Sequence, residues 1–205
     1  MSYLALLAGN KRLLAFGFLM AFLSSFGQTF FISLFNAEIR AAFGLTQGGF
    51  GTIYSLATLT SAALLIPAGG LIDRMALGPY ALLVAGGLVA AMAAMALMPP
   101  LRPLLLFPII LGLRFFGQGL CSQASVIAMS RYFERGRGKA VAIGSLGHSG
   151  GEALFPIAAV ALAAAVGWRW TWGGLAIAVA ILAPLLILWL LRGHGERHAR
   201  LLDEL

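Results

Sequence analysis

Two charged residues lie inside long apolar segments of this chain, Arg114 and Glu152. Where such segments cross a bilayer, a charge at the membrane centre costs on the order of 3 kcal/mol, so both residues are expected to have a partner. We expect Arg114 to bind an anionic group or the Glu152 carboxylate. Glu152 would take up a proton when the pair separates, and His148, one helical turn earlier, would join a proton relay. A permanent ion pair that fixes helix packing is the alternative.

Polar residues fall on single helical faces in four of the six apolar segments, and in the fifth segment that face is formed by His148 and Glu152. A helix turns by about 100° per residue, which gives the faces of the other three segments. In the fourth segment, Arg114 shares a face with Gln118, Cys121, Ser122 and Ser125. In the first segment, Ser24 lies on the same face as Gln28, Phe31 and Phe35, and in the second, Tyr54 lies on the same face as Thr58 and Ser61. The third and sixth segments carry no such polar face. This predicts that they face the lipid and support the other four helices. The pattern has a period of three, as in the inverted three-helix repeats of secondary transporters. Alternatively, these hydroxyl and amide groups hold helices together.

The composition excludes an ordinary soluble domain. Of 205 residues, 60% are hydrophobic and 10% charged, whereas soluble domains carry about 25% charged residues. The mean hydropathy is +0.94. One cysteine and three histidines exclude a disulfide framework and leave no cysteine-rich zinc site, so neither a metal nor another cofactor is expected. The net charge of +7 is better explained by membrane topology than by nucleic acid binding.

Six segments are long enough to cross a hydrocarbon core about 30 Å thick, which takes about 20 residues. They cover 13–35, 48–71, 79–98, 103–130, 140–166 and 171–191. The prediction is an all-α membrane protein with a six-helix bundle at 13–191, embedded in the lipid bilayer. Residues 1–12 would form an N-terminal tail, and residues 192–205 a C-terminal tail.

The basic residues predict the orientation of this bundle. One side of the predicted topology carries Lys11, Arg12, Arg74, Arg131, Arg135, Arg137, Lys139, Arg192, Arg197 and Arg200, and the other carries Arg40, Arg102 and Arg169. Cytoplasmic loops are enriched in Lys and Arg, so both termini are predicted to be cytoplasmic. The tryptophans at the start of the sixth segment, Trp168, Trp170 and Trp172, are expected at the opposite interface. A cleaved signal peptide is the less favoured alternative, because the first apolar run continues to Phe35, well beyond the roughly 7–15 apolar residues typical of a signal peptide.

The string Gly147-His148-Ser149-Gly150-Gly151 spells G-x-S-x-G, the nucleophile motif of many hydrolases. That motif needs a strand before it in a soluble sheet, whereas this string lies in an apolar helix. A membrane protease would need a histidine facing the serine from another segment, yet His194 and His198 lie beyond the last one. We therefore expect no enzyme activity, and interpret Gly144, Gly147 and Gly151 as a small-residue face for close helix packing.

Three strings resemble motifs of the major facilitator superfamily. Gly69-Gly70-Leu71-Ile72-Asp73-Arg74 resembles the G-x-x-x-D-R signature between helices two and three. Arg114 to Gly119 is similar to the R-x-x-x-x-G pattern of helix four. Tyr132-Phe133 followed by Arg137-Gly138-Lys139-Ala140 and Gly144 resembles the loop that enters helix five.

The resemblance implies that helices one, two, four and five line a central cavity and that transport alternates access between the two sides. It places Gly69, Asp73 and Arg74 in a gating loop that contacts a neighbouring helix end such as Arg131. Here the chain departs from the pattern, because Met75-Ala76-Leu77 stands where a glycine and two basic residues are usual. The fifth segment also lacks the G-P pair typical of drug antiporters, so multidrug export is not favoured.

The superfamily is built from two six-helix bundles, and this chain resembles the first, with residues 192–205 similar to the start of the connector. We expect a fragment, a half that forms a homodimer around the site, or a half that has lost function. The expected function is alternating-access transport of a small solute, an organic anion drawn to Arg114, with proton coupling. Gln28 and Tyr54 complete the predicted solute site with Gln118, His148 and Glu152. The alternative is a non-transporting half that regulates a partner carrier. The plasma membrane is the expected location, which is the inner membrane in a bacterium.

Overall fold

The computed structural model describes residues 3–99, 103–133 and 136–193, with side chains from Asn10 onward. Some predicted features lie outside these ranges, namely Arg102, Arg135, His194, Arg197, His198, Arg200 and the C-terminal tail beyond residue 193. The described chain is helical and has six helices long and apolar enough to cross a membrane, which confirms the predicted number. They are Asn10–Ser33, Gln47–Arg74, Leu77–Leu97, Pro103–Tyr132, Arg137–Val166 and Trp168–Leu190, called spans 1 to 6 below.

Three spans are single helices and three are interrupted. Span 1 belongs to an α-helix, Tyr3–Ser24, with a kink at Asn10, followed by a 3-10 turn, Ser25–Gly27, and a short helix, Thr29–Ser33. Span 2 joins Gln47–Ala68 to Leu71–Arg74. Span 4 runs through Pro103–Leu105, Leu106–Gly112, a π-helical segment, Leu113–Cys121, and Ser122–Tyr132. A separate helix, Asn36–Phe43, connects spans 1 and 2.

The break in span 1 follows from its local sequence, Ser24-Ser25-Phe26-Gly27-Gln28. The hydroxyl of Ser24 donates to the carbonyl oxygen of Ala21 over 2.7 Å, a local bond that competes with helical hydrogen bonding and bends helices. Serine–glycine sequences are frequent sites of helix kinks. Gln28 then adopts an extended backbone (φ −76°, ψ 152°), so the helix restarts at Thr29 in a new direction.

Span 1 is the centre of the bundle. In its most apolar window, 61% of the residues are buried, against 17% in span 2 and 11% in span 5. It packs against spans 4, 5 and 6, and spans 3 and 6 pack against each other. The exposed faces of the bundle therefore belong mainly to spans 2 and 5.

Span 3 has one face in the core of the bundle, and its role as a lipid-facing support stays a prediction. Its most apolar window is 44% buried, more than that of span 2 or span 5, and Tyr80, Leu88 and Met92 are fully enclosed. Hydropathy does not distinguish lipid from a protein core, because apolar side chains are compatible with both environments.

The small-residue face predicted for span 5 is confirmed. Gly144, Gly147 and Gly151 are buried, and a methyl group at Gly147 would collide with the carbonyl oxygen of Phe18 on span 1. The G-x-S-x-G string thus lies inside one continuous helix, Arg137–Val166. Its glycines allow two helix backbones to approach, the usual role of such glycines in membranes.

One predicted interfacial tryptophan is instead part of the core. Trp170 is 77% exposed, as expected, but Trp172 is fully buried, with ring centroids 5.1 Å from Phe31 and 5.5 Å from Phe35. Two positions along a helix correspond to about 200° of rotation around its axis, so the side chains of Trp170 and Trp172 point in opposite directions.

The two described arginines of the predicted outer side are both held by hydrogen bonds. Arg169 donates to the carbonyl oxygens of Ala96 and Met98 at the end of span 3, and its guanidinium lies 4.5 Å from the Trp168 ring centroid. Arg40 donates to the side chain of Asn36 over 2.6 Å. By contrast, Lys11, Arg74 and Arg137 on the other side are exposed. The orientation with cytoplasmic termini stays a prediction.

Candidate functional site

The break in span 1 and the π-helical segment of span 4 touch through their backbones. A Cβ atom added at Gly27 would lie 2.8 Å from the Cα of Gly117 and would collide with the backbone of Leu113 and Gln118. π-Helical turns occur frequently at functional sites, and discontinuous helices form the substrate sites of many transporters. This contact brings Arg114 of span 4 against the broken middle of span 1.

Arg114 is buried among neutral groups. It is 7% exposed, and its Nη1 atom donates to the carbonyl oxygen of Gly27 and to the hydroxyl of Thr29, both over 3.2 Å. Its guanidinium lies 5.4 Å from the ring centroid of Tyr54. The Tyr54 hydroxyl donates to Thr29 over 2.8 Å. The Nε atom of Arg114 has no hydrogen-bond partner in the described structure, so the guanidinium retains capacity to donate.

A cavity of about 370 Å³ opens beside Arg114, between spans 2 and 4, and we call it cavity A. It is lined by Thr58, Ser61, Ala62, Leu65, Arg114, Gln118, Gly119, Ser122 and Gln123. Besides Arg114 Nε, the Thr58 hydroxyl and the Gln123 amide oxygen are buried without a partner in the described structure. Unpartnered polar atoms around a cavity are satisfied when water or a polar ligand enters. Among the side chains that line cavity A, Arg114 is the charged one, so the cavity favours an anion.

A second cavity, of about 210 Å³, lies along the other half of span 2, and we call it cavity B. It is lined by Thr29, Ile32, Ser33, Asn36, Gln47, Phe50, Gly51, Tyr54 and Ser55. Its polar groups are hydroxyls and amides, and none of the described side chains that line it is charged.

Comparison with known proteins supplies the family. The chain matches the family model of the Major Facilitator Superfamily over residues 17–203. It belongs to this superfamily. The resemblance drawn from Gly69–Arg74 and Arg114–Gly119 is thereby confirmed, and the chain is an integral, multi-pass membrane protein of a transporter superfamily whose typical location is the plasma membrane. No curated protein and no solved structure matches the chain.

In this superfamily member, the predicted polar face of span 4 is only partly correct. Gln118 and Ser122 line cavity A with Arg114, but Cys121 and Ser125 are buried away from it, and Gln123 takes their place. A π-helix has more residues per turn than an α-helix. An angle of about 100° per residue therefore misplaces side chains both within the π-helical segment and after it. Cys121 is buried and carries a free thiol.

The predicted face of span 1 is also divided by the helix break. Phe31 and Phe35 pack in the core against Trp172, and Ser24 faces span 5. Gln28 is half-buried at the break and lines neither cavity. Thr29, which lies next to it, provides the contact to Arg114 and Tyr54 instead.

The expected ion pair between Arg114 and Glu152 is not formed in the described structure. At this depth span 1 separates spans 4 and 5, since Gly27 touches Gly117 on one side and Ser25 touches Gly151 on the other. Glu152 is exposed on span 5. Similar depth in the membrane does not bring two side chains together, because they must also face each other around the bundle axis.

His148 forms a separate polar contact with span 1. Its Nδ1 atom lies 3.0 Å from the Ser24 hydroxyl oxygen. Because the Ser24 hydroxyl donates to the Ala21 carbonyl oxygen, this geometry fits the His148 tautomer that donates from Nδ1 and keeps Nε2 as an acceptor. Glu152 follows one helical turn later, so the two groups capable of binding a proton lie together on span 5.

Two of the residues predicted for the gating loop, Asp73 and Arg131, are in contact. Arg131, near the end of span 4, forms an ion pair with Asp73 and also donates to the Ile72 carbonyl oxygen over 3.4 Å. Gly69 lies at the junction of the two helices of span 2, while Arg74 is exposed. The pair ties the end of span 2 to the end of span 4.

Proposed function

We propose that this chain moves a small organic anion across the membrane by alternating access, as one six-helix half of a carrier. One observation carries the proposal, namely that Arg114 lies buried on the wall of cavity A, bound to neutral oxygens and with no hydrogen-bond partner for its Nε atom among the described residues. A buried guanidinium at this depth is costly. A carboxylate would neutralise it through short, bidentate hydrogen bonds that neutral oxygens cannot provide.

Exchange in liposomes tests this proposal. The purified chain is reconstituted and loaded with small monocarboxylates, and exchange is compared with that of the matching amides, which have nearly the same shape but no charge. We expect exchange of at least one acid and little exchange of its amide. Equal exchange of acid and amide would contradict the role of Arg114. Absence of any exchange, together with stable binding to a second carrier protein, would support the non-transporting alternative.

The exposed faces of spans 2 and 5 support a requirement for a second bundle. Glu152 lies on the exposed face of span 5, and facing lipid would cost it on the order of 3 kcal/mol. We infer that a second six-helix half or a second copy of the chain covers this face and encloses water around the carboxylate.

Proton coupling is assigned to His148 and Glu152. A proton bound at Glu152 or at Nε2 of His148 would remove or add a charge on span 5, beside span 1, and so favour one of the two access states. The site for the anion and the site for the proton then lie on different sides of span 1.

Replacing Glu152 by glutamine is expected to abolish accumulation driven by a pH gradient while exchange at equal pH continues. Glutamine keeps the shape of the side chain but does not take up a proton. The two activities are measured in the same liposomes, with and without an imposed gradient. Glu38→Gln, on the short helix Asn36–Phe43, is the matched control and should accumulate normally. A Glu152→Gln protein that still accumulates solute from a proton gradient would eliminate the coupling role.

Removing the ion pair at the loop motif is expected to slow transport without unfolding the protein. Asp73 is 63% exposed, and exposed pairs contribute about 1 kcal/mol or less, so Asp73→Asn should slow exchange about two- to fivefold. Exchange rates and thermal unfolding are measured together. Arg74→Gln changes the adjacent exposed charge and should leave the rate unchanged. Equal rates for Asp73→Asn and the parent would argue against gating by this pair.

A further inference from the structure

Cavities A and B lie along one continuous face of span 2. The residues of span 2 that line them are Gln47, Phe50, Gly51, Tyr54 and Ser55 for cavity B, and Thr58, Ser61, Ala62 and Leu65 for cavity A. These positions recur every three or four residues, which places them on one side of a helix. At 1.5 Å per residue, the face is about 27 Å long, close to the roughly 30 Å of the hydrocarbon core. Together the cavities extend over nearly the whole thickness of the membrane.

A three-residue cluster separates the two cavities. They share no lining residue, and the cluster is divided between them, since Thr29 and Tyr54 face cavity B whereas Arg114 faces cavity A. The hydroxyl of Thr29 accepts hydrogen bonds from Tyr54 over 2.8 Å and from Arg114 over 3.2 Å. Thr29 thus links span 2 to span 4 across the path. We call Thr29, Tyr54 and Arg114 the partition.

We propose that the partition closes the path between cavities A and B and that a carboxylate bound to Arg114 opens it. The bonds from Arg114 to Gly27 and Thr29 are both 3.2 Å long, at the weak end of the N–H···O range, whereas guanidinium–carboxylate bonds are shorter and about twice as strong. A carboxylate in cavity A therefore competes with Thr29 for the guanidinium. When Arg114 turns to the anion, Thr29 keeps the bond from Tyr54, and the hydrogen-bonded connection that runs from span 2 through Thr29 to span 4 is broken. The nature of the opening ligand rests on the proposed function, but the existence of the partition does not.

Cysteine labelling tests the partition without any transport measurement. Cys121 is replaced by alanine, and a single cysteine is introduced at Ser55 in cavity B or at Ser61 in cavity A. A membrane-impermeant maleimide is added to vesicles on the side from which Ser55→Cys reacts, and the rates at both positions are compared. We expect Ser61→Cys to react more slowly than Ser55→Cys, but Ser61 is only 4% exposed whereas Ser55 is exposed. The deciding measurement is therefore the change in rate that removal of the Thr29 hydroxyl causes.

Thr29→Val removes the acceptor of both hydrogen bonds with little change in side-chain shape. It should raise the labelling rate of Ser61→Cys about tenfold and leave that of Ser55→Cys unchanged, which also shows that the variant is folded. Thr52→Val is the matched control, because the Thr52 hydroxyl bonds to the carbonyl oxygen of Gly48 in its own helix and lines neither cavity. Equal labelling of Ser55→Cys and Ser61→Cys in the parent, or no effect of Thr29→Val, would overturn the partition.

The opening ligand is tested with lactate and lactamide. In the parent, lactate should accelerate labelling of Ser61→Cys from the cavity B side, and lactamide should not. If Thr29→Val accelerates labelling but lactate does not, the partition stands and lactate is rejected as the ligand that opens it. That result would count against the proposed transport of small carboxylates and not against the partition.

Discussion

Arg114→Gln is expected to reduce carboxylate exchange at least about 100-fold. Two hydrogen bonds to a charged group together contribute roughly 3 kcal/mol or more, and each 1.4 kcal/mol corresponds to about tenfold in affinity. Glutamine keeps a donor near the Gly27 carbonyl oxygen but has no charge to attract the anion. Exchange of a monocarboxylate in liposomes, measured over a range of concentrations, separates weaker binding from slower turnover.

Two further variants make this result specific. Arg114→Lys keeps the charge but loses the planar fork that binds a carboxylate through two bonds, so its exchange should fall between those of the parent and Arg114→Gln. Arg40→Gln removes a half-buried arginine whose side-chain bond is to Asn36, and should exchange normally. If Arg114→Gln exchanged within a few-fold of the parent, Arg114 would have to be regarded as a structural residue that closes the break in span 1.

Gly27→Ala is expected to destabilise the bundle more than most single substitutions. The added methyl group would collide with backbone atoms of Leu113 and Gln118 and lie 2.8 Å from the Cα of Gly117. Backbone atoms of packed spans cannot move aside as a flexible side chain does, so the cost should be near the upper end of overpacking, about 3 kcal/mol. For a chain of this size that corresponds to a fall of roughly 6–12 °C in the midpoint of thermal unfolding.

The control for this variant is another glycine on a membrane span. A methyl group at Gly86 meets no atom within 4 Å, so Gly86→Ala should unfold within a degree or two of the parent, in the range of neutral surface changes. Both proteins are unfolded in the same detergent. Equal unfolding midpoints for Gly27→Ala and Gly86→Ala would show that spans 1 and 4 are too far apart at Gly117 for the added methyl group to collide.

The number of spans was predictable because bilayer thickness sets the length of an apolar segment, whatever its tertiary contacts. The interruptions were not, since hydropathy over a window of about 20 residues averages over a turn such as Ser25–Gly27 or a π-helical segment such as Leu113–Cys121. These interruptions change the direction of later side chains. That is why Cys121 and Ser125 were wrongly placed on the polar face and Gln123 was missed.

The cost of burying charge identified Arg114 and Glu152 as candidate site residues, but not their contacts. Helical arithmetic gives depth and face within one span, whereas a contact depends also on which spans are neighbours. Thr29 was missed because a single hydroxyl in an apolar segment most often bonds to its own helix. A usable signal was present in the run Gly27-Gln28-Thr29 on span 1 and Gly117-Gln118-Gly119 on span 4, where glycines on two spans permit close approach.

The break in span 1 also determines how this bundle can be assembled. Arg114 follows Gly27 by 87 residues, which takes roughly 4–17 s at about 5–20 residues per second of synthesis. Throughout that interval the Gly27 carbonyl oxygen lacks the guanidinium that binds it in the finished bundle, and a backbone group left unsatisfied in lipid costs several kcal/mol. Before span 4 is made, span 1 is therefore least costly in the bilayer as a continuous helix that satisfies this oxygen through its own backbone. The break at Ser25–Gly27 thus belongs to bundle assembly and not to insertion, and it forms when span 4 packs against span 1.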